Sequence, residues 1–275
     1  MKRPNLPLWI FSGLIFAFLY APIFVVAAHS FNDAPFGSVW RGFTVKWYRA
    51  LFENAQAITA SKNTIILAVV STIISTVLGT MLAYGLSRYK MPAKNFLNQL
   101  LYIPVFIPDI VMAISLLLFF SLVRQWAGIF ELGLATMIFA HVTFQIPFVT
   151  IVVRARLNGL DPSIEEASHD LGATNWQTFR HVTLPLILPG VMAGAMLAFT
   201  LSLDDFVVSF FTSGPGSTTL PILIYSAVKR GITPDINALS TLLVLASVLS
   251  AIMVMLFQKT KIEQVGQHAP IKFDL

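Results

Sequence analysis

The sequence predicts an all-α membrane protein with six transmembrane helices, and three observations carry that prediction. The 275 residues are 56% hydrophobic and only 11% charged, against about 25% charged in an ordinary soluble domain. Mean hydropathy is +0.76. Six apolar runs long enough to cross a bilayer core, which takes about 20 helical residues, alternate with polar segments.

The first run extends from Trp9 to Ala28, after Lys2 and Arg3. Its 20 residues suit a span, whereas a signal-peptide core has roughly 7–15. A cleaved signal ending near Ala28 is the alternative. Pro22 is the expected kink point. Residues 30–62 then leave the membrane. Within them Phe43, Trp47, Tyr48 and Leu51 share a helical face opposite Lys46, Arg49 and Glu53. Such a helix either lies in the membrane interface or packs on neighbouring spans.

The second span is expected over 64–86, closed by Arg88, Lys90 and Lys94. The third covers 96–123 and is broken at Pro104 and Pro108. After a short loop the fourth covers 134–153, with Pro147 inside. The fifth covers 186–208 and the sixth 236–257. A polar tail carries Lys259, Lys261 and Lys272.

Six spans put both termini on one side. That side collects eleven of the eighteen Lys and Arg residues, and the long first loop holds four of the remaining seven. Long loops translocate with less regard to charge, so the termini and the 154–185 segment are expected to be cytoplasmic. The formal net charge of +5 reads as membrane-flanking bases, with no nucleic acid implied.

Several chemistries find no residues to carry them. The chain has no cysteine, which removes disulfides and thiolate metal sites, and its five histidines show no HExxH or paired spacing. No Gly-Lys dipeptide occurs, hence no Walker loop for ATP, and no Gly-x-Ser-x-Gly elbow occurs either. An intramembrane enzyme would need nucleophile–base or metal pairs that are missing. No catalytic residue, metal or cofactor is expected in this chain.

Residues 161–185 form the longest polar interruption in the second half of the chain. Pro162 suits a first helical position, and Ser163 with Glu166 predicts a capping box. Gly172 supplies a left-handed residue that closes a short helix. Thr174 with Gln177 predicts a second capping box, and Pro185 an end to the second helix. Ile164, Ala167, Ser168 and Leu171 make a small apolar strip beside Glu165, Glu166 and Asp170. A helix pair with so little core should dock onto something.

Charges inside a bilayer are rare and usually face a cavity or a partner. Asp109 follows Pro108 and reads as the N-cap of a resumed helix, as a residue of a substrate path, or as both. Asp204 and Asp205 sit near the outer end of the fifth span. Neighbours on a helix point about 100° apart, so one is expected to face a pathway while the other bonds a neighbouring element. Snorkelling of both to the surface is the plainer alternative. Their sign suits a cationic substrate or the positive residues of a partner subunit. His141 and Gln145, four apart, share a face suited to interhelical hydrogen bonds or to contact with substrate. Phe206, Tyr225 and Trp126 offer cation–π faces, or anchor span ends at the interface.

The run Glu166-Ala167-Ser168, a glycine at 172 followed by Ala173, and the closing Leu184-Pro185 resemble the EAA loop of ABC-type importer permeases. Ser168 stands where that triplet has its second alanine. Ser30-Phe31-Asn32, Gly42 through Tyr48, Pro108 through Leu117, Phe199 through Asp205, Ser213-Gly214-Pro215 and Tyr225 through Leu239 are similar to the second permease subunit of polyamine importers. The tail after Lys261 has no counterpart in the resemblance.

The resemblance implies a type I importer permease fold. Its parts would be an N-terminal helix and external amphipathic segment at 1–59, the transmembrane domain at 60–257 and a cytoplasmic tail at 258–275. It implies a bacterial inner-membrane, multi-pass subunit that forms a heterodimer with a second permease. Two ATPase subunits would bind ATP and Mg, and an external polyamine-binding protein would deliver substrate. The loop, with Glu165, Glu166, Ala167, Ser168, Asp170, Leu171, Gly172, Ala173 and Pro185, would couple to the ATPase. Asp109, Asp204, Asp205, Phe206 and Tyr225 would line the substrate pathway. Rival readings are the same machine carrying ferric iron, sulfate or a small organic cation, and a purely structural membrane subunit.

Overall fold

The computed structural model describes residues 6–34, 39–90, 92–230 and 234–267. In chain order the helices are α1 (Leu6–His29), α2 (Lys46–Glu53), α3 (Ala55–Arg88), α4 (Lys94–Phe106), α5 (Asp109–Ala127) and α6 (Leu134–Asn158). There follow α7 (Ser163–Asp170), α8 (Asn175–Thr178), a π-helical turn (Phe179–Thr183), α9 (Leu184–Leu203), α10 (Val207–Thr212), α11 (Leu220–Arg230) and α12 (Pro234–Gln267). Among the described residues, five helices are long and apolar enough to cross a membrane: Trp9–His29, Ala55–Arg88, Asp109–Ala127, Leu134–Asn158 and Asn175–Leu203.

The expected third span is two helices. α4 ends at Phe106 and α5 starts at Asp109, because Pro108 lacks the amide hydrogen that would continue the ladder. In the expected sixth span, the apolar stretch among described residues runs over Pro234–Leu249. The tail expected from 258 is helical to Gln267, and its last residues, with Lys2, Arg3 and the stretch Gly231-Ile232-Thr233, lie outside the described residues.

Two compact units divide the chain, one of Met1–Ser61 with Leu220–Ala246, the other of Lys62–Thr219 with Ser247–Leu275. In the first unit α2 settles the choice left open above. Leu51 is buried with Ala57, Ala238 and Leu239, and Trp47 and Tyr48 pack on the same cluster with Leu220, Leu223 and Ile224. The helix is thus packed on its neighbours. Phe43 is left 72% exposed, its ring stacked on Phe31 at 5.2 Å. Buried Asn32 ties the preceding loop together: its side chain accepts from the Arg41 amide and donates to the Val39 carbonyl, both at 2.9 Å.

In the second unit the core lies between α3, α6 and α9. Ala83, Val149, Val153, Leu157, Ile187, Val191 and Ala198 form one buried cluster. Close approach there depends on missing side chains. A Cβ at Gly79 would stand 2.8 Å from Val149, and one at Gly194 would stand 3.3 Å from the same residue. Small residues let helix backbones close in where lipid offers no hydrophobic drive between helices. A second cluster, Ala113, Phe120, Ala140 and Val208, joins α5, α6 and α10.

Candidate functional site

Two places in the second unit carry the expected functional residues other than Tyr225. The first is a cavity of about 420 Å³ reached from α4, α5, α6, α9 and α10. Asp109, Asp204, Asp205 and Phe206 line it, with Phe144 and Phe148 on α6. Three carboxylates expected on a pathway therefore share one space, brought there by two helix breaks. Asp109 is the first residue of α5, whose cap position is Pro108, so its carboxylate meets the positive end of the helix without making the expected N-cap bond.

The other break corrects the fifth span, which was expected to continue to Val208. α9 ends at Leu203, and Asp204 is its C-cap. Asp205 lies two residues before the next helix instead of continuing the old one. Its Oδ2 accepts from the Ser209 amide at 2.7 Å and its Oδ1 from the Val208 amide at 3.3 Å, which supplies α10 with the acceptors its free N–H groups need.

Asp205 is also the end of a buried polar chain. His141 Nε2 lies 3.3 Å from Asp205 Oδ2 and 3.0 Å from Ser209 Oγ. His141 Nδ1 lies 2.7 Å from Ser202 Oγ, which is 3.4 Å from Ser71 Oγ. Gln145 donates to Ser71 at 3.2 Å and to the Ala198 carbonyl at 3.1 Å, and accepts from Ser75 at 2.9 Å. His141 and Gln145 do the interhelical bonding their spacing suggested. Ser71, Ser75, Ser202 and Ser209 were missed. The signal was present, since Ser71 and Ser75 repeat the four-residue spacing of His141 and Gln145.

Asp204 is exposed in the cavity, and among the described residues neither it nor Asp109 forms an ion pair. Both neighbouring carboxylates line the cavity, Asp205 bonded to other elements and Asp204 open. The Phe206 ring is tilted against Phe210 at 5.3 Å. Tyr225 belongs to the other unit, where the Lys229 ammonium stands 4.8 Å over its ring. Trp126 is 87% exposed and absent from the cavity lining.

The second place is the elbow α7–α8. Its first cap differs from the expected box. Asp161 Oδ1 accepts from the Ser163 amide at 3.0 Å, two residues ahead of the expected cap Ser163, because Pro162 already has helical torsions. That amide, with the Ser163 hydroxyl, holds the Asp161 carboxyl below its usual range. The exit is as expected. Gly172 has φ +86°, its amide reaches the His169 carbonyl at 2.9 Å, and the Ala173 amide reaches Ser168 at 3.1 Å, the paired bonds of a Schellman turn. Thr174 and Gln177 form their reciprocal box.

Pro185 does not end the second helix. The chain passes from α8 through the π turn into α9, and the Leu184 amide bonds the Phe179 carbonyl five residues back. One widened turn makes room for a ring without an amide hydrogen. Ser168 turns inward and bonds Thr178 at 3.0 Å, so the expected apolar strip is incomplete at that position. Ile164, Leu171 and Trp176 remain 43%, 91% and 65% exposed. Ala167, Glu166 and Asp170 are exposed beside them, while Ala173 is half-buried.

With this geometry in hand, known proteins supply the context. The family model described as "binding-protein-dependent transport system inner membrane component" matches residues 75–260. The spermidine/putrescine transport system permease protein PotC of Shigella flexneri is 42% identical over 93% of this chain and 95% of its own. The putrescine transport system permease protein PotI of Escherichia coli (strain K12) is 40% identical over 83% of this chain and 82% of its own. Among solved structures, a bacterial ABC transporter involved in the import of the acidic polysaccharide alginate matches with a TM-score of 0.73 at 21% identity, covering 94% of this chain and 95% of that one. The MetNI methionine ABC transporter, in inward facing conformations, matches at 0.60 and 23%, covering 74% and 94%. Those two likenesses speak for the fold, which is that of ABC importer permeases. This is a multi-pass membrane protein, and the chain belongs to the family of binding-protein-dependent transport system inner membrane components.

Proposed function

We propose that this chain is a permease subunit of an ATP-driven polyamine importer in a bacterial inner membrane. It would form the pathway with a second permease, receive putrescine or spermidine from an external binding protein, and couple through its elbow to two ATPase subunits that bind ATP and Mg. Six spans would keep both termini and the elbow in the cytoplasm. The transmembrane domain would be residues 60–257, with 1–59 before it and the tail 258–275 after it.

The observation that carries the substrate class is the cavity lined by Asp109, Asp204 and Asp205 together with Phe144, Phe148 and Phe206. A polyamine is a set of ammonium groups joined by methylene chains. Carboxylates replace part of the water shell of each ammonium, and aromatic faces meet both the methylenes and the cation. An open carboxylate such as Asp204 is attracted to the ammonium only weakly in high dielectric, which suits a site that must release its cargo. The relatives named for spermidine and putrescine transport support the same reading. Exposed Ile164, Leu171 and Trp176 on the elbow support docking to another subunit, because scattered apolar side chains on a nearly coreless helix pair gain most by being covered.

The test is uptake of labelled putrescine and spermidine into vesicles holding the assembled transporter. Asp204→Asn and Asp109→Asn should each lower uptake about tenfold, equivalent to ~1.4 kcal/mol, with assembly intact. Wild-type uptake in both variants, or no competition between the label and unlabelled polyamine, would sink the proposal.

A further inference from the structure

The elbow is fastened to the bundle by a side-chain latch. Arg88 is the last residue of α3, and its Nε lies 2.8 Å from Oε2 of Glu165 on α7. The other carboxylate oxygen, Oε1, accepts from the hydroxyl of Thr183 at 2.9 Å. Thr183 is fully buried at the end of the π turn that enters α9. One carboxylate therefore joins three elements: the end of α3, the elbow helix and the root of α9. The two charged side chains are only 20% and 15% exposed. Glu166, the next residue, is exposed. Adjacent glutamates, about 100° apart around the helix, thus divide between the bundle and the exposed surface.

The connection along the chain is uneven. α9 is continuous with the elbow through α8 and the π turn, whereas α3 reaches it along the chain only through α4, α5 and α6. A π turn is also a point where a helix departs from regular hydrogen bonding. The Glu165 hydrogen bond to Thr183 ties α7 to that point, and its ion pair with Arg88 reaches α3 as well. Opening them would leave a shielded guanidinium and carboxylate without partners, which resists sliding of one element past another.

We propose that Arg88 and Glu165 form a coupling latch, so that the elbow, the end of α3 and the root of α9 move as one body when a motor displaces the elbow. This rests on the reading of the elbow as the docking element for an ATPase. Arg88 is here a positioning residue, acting on transport through Glu165.

The experiment measures polyamine moved per ATP hydrolysed by the complete transporter in vesicles. Arg88→Gln should leave the ATPase co-purifying and hydrolysing, while the ratio falls on the order of tenfold, the scale of a typical coupling free energy. Because the chain has no cysteine, an Arg88→Cys/Glu165→Cys pair can be joined cleanly by a short thiol-to-thiol linker. The unlinked pair should show the same loss and the linked pair should recover. A linked pair that assembles only when joined, and then transports, also supports the latch. A wild-type ratio in Arg88→Gln, or a linked pair that assembles without transporting, overturns it. Failure of the unaltered chain to hold its ATPase would instead undo the docking reading, an outcome separate from any change in the ratio.

Discussion

His141 and Asp205 meet at 3.3 Å, Nε2 to Oδ2, between the first third of α6 and the gap that separates α9 from α10. The imidazole is fully buried, and both of its nitrogens are engaged, with Ser202 on one side and Ser209 on the other. Asp205 accepts at the same time from two amides of α10. The break in the helix is therefore held from both ends. The neighbouring Asp204 lines the cavity beside it.

Replacing His141 by alanine should lower unfolding stability by about 2–3 kcal/mol, since it strands buried hydroxyls and a carboxylate without their partner. Denaturant unfolding in detergent, read by tryptophan fluorescence, checks this. A change under half a kcal/mol would mean that the network is incidental.

Asp204→Asn and Asp205→Asn should separate stability from transport. Asp205→Asn removes the charge that receives two amides and His141, and should cost about 1–2 kcal/mol in the same unfolding assay. Asp204→Asn should leave stability within about half a kcal/mol, as expected for a residue outside such a network. Equal effects of the two would contradict the division of roles.

Gly172 and Gly214 are needed for different reasons, and alanine should tell them apart. At Gly172 nothing stands within 4 Å of an added Cβ, and the burden is the left-handed φ of +86°, about 1–2 kcal/mol for a residue with a side chain. At Gly214 an added Cβ would stand 1.9 Å from the Leu132 carbonyl oxygen, so backbone must move. Gly172→Asn should recover much of the alanine loss, because Asn tolerates that conformation. Gly214→Asn should not recover. Hydrogen exchange localised to the elbow, compared with global unfolding, is the measurement.

Gly79→Ala should disturb the contact with Val149 and lower stability by roughly 1–3 kcal/mol, the usual range for overpacking. Shortening Val149 to alanine in the same chain should return part of that loss. A double variant no better than Gly79→Ala would show that the approach of α3 to α6 is not set at this pair.

Acidification should loosen the start of α7. The Asp161 carboxyl titrates below its unfolded value near 3.8, so its contribution is present above that value and disappears as pH falls through the lower folded one. Protection of the Ser163 amide should therefore decline in that acid window and be insensitive to pH near neutrality. Asp161→Asn, which keeps an oxygen acceptor without a titrating carboxyl, should remove the pH dependence.

How much could be read in advance follows from the range of each interaction. The Gly172 turn and the Thr174–Gln177 box depend on residues a few positions apart, and both formed as expected. The continuation through Pro185 did not, because whether a proline ends a helix or is absorbed by a widened turn depends on what the following helix packs against. Here Ile187 and Val191 lie in the core with Val149 and Val153. That burial favours keeping the helix. The facing of His141 and Gln145 followed from spacing, whereas their serine partners lie on α3, α9 and α10, far away along the chain.

Composition, hydropathy and helical period determined by themselves that the chain lives in a membrane as helices, and local motif chemistry determined where an exposed elbow interrupts them. These are properties of single segments and need no partner to be expressed. Only the tertiary structure decided which carboxylate is open and which is bonded, and which glutamate of the Glu165–Glu166 pair turns inward to Arg88. Such choices depend on which buried donor another helix brings within hydrogen-bond reach, and a one-dimensional pattern carries no record of that encounter.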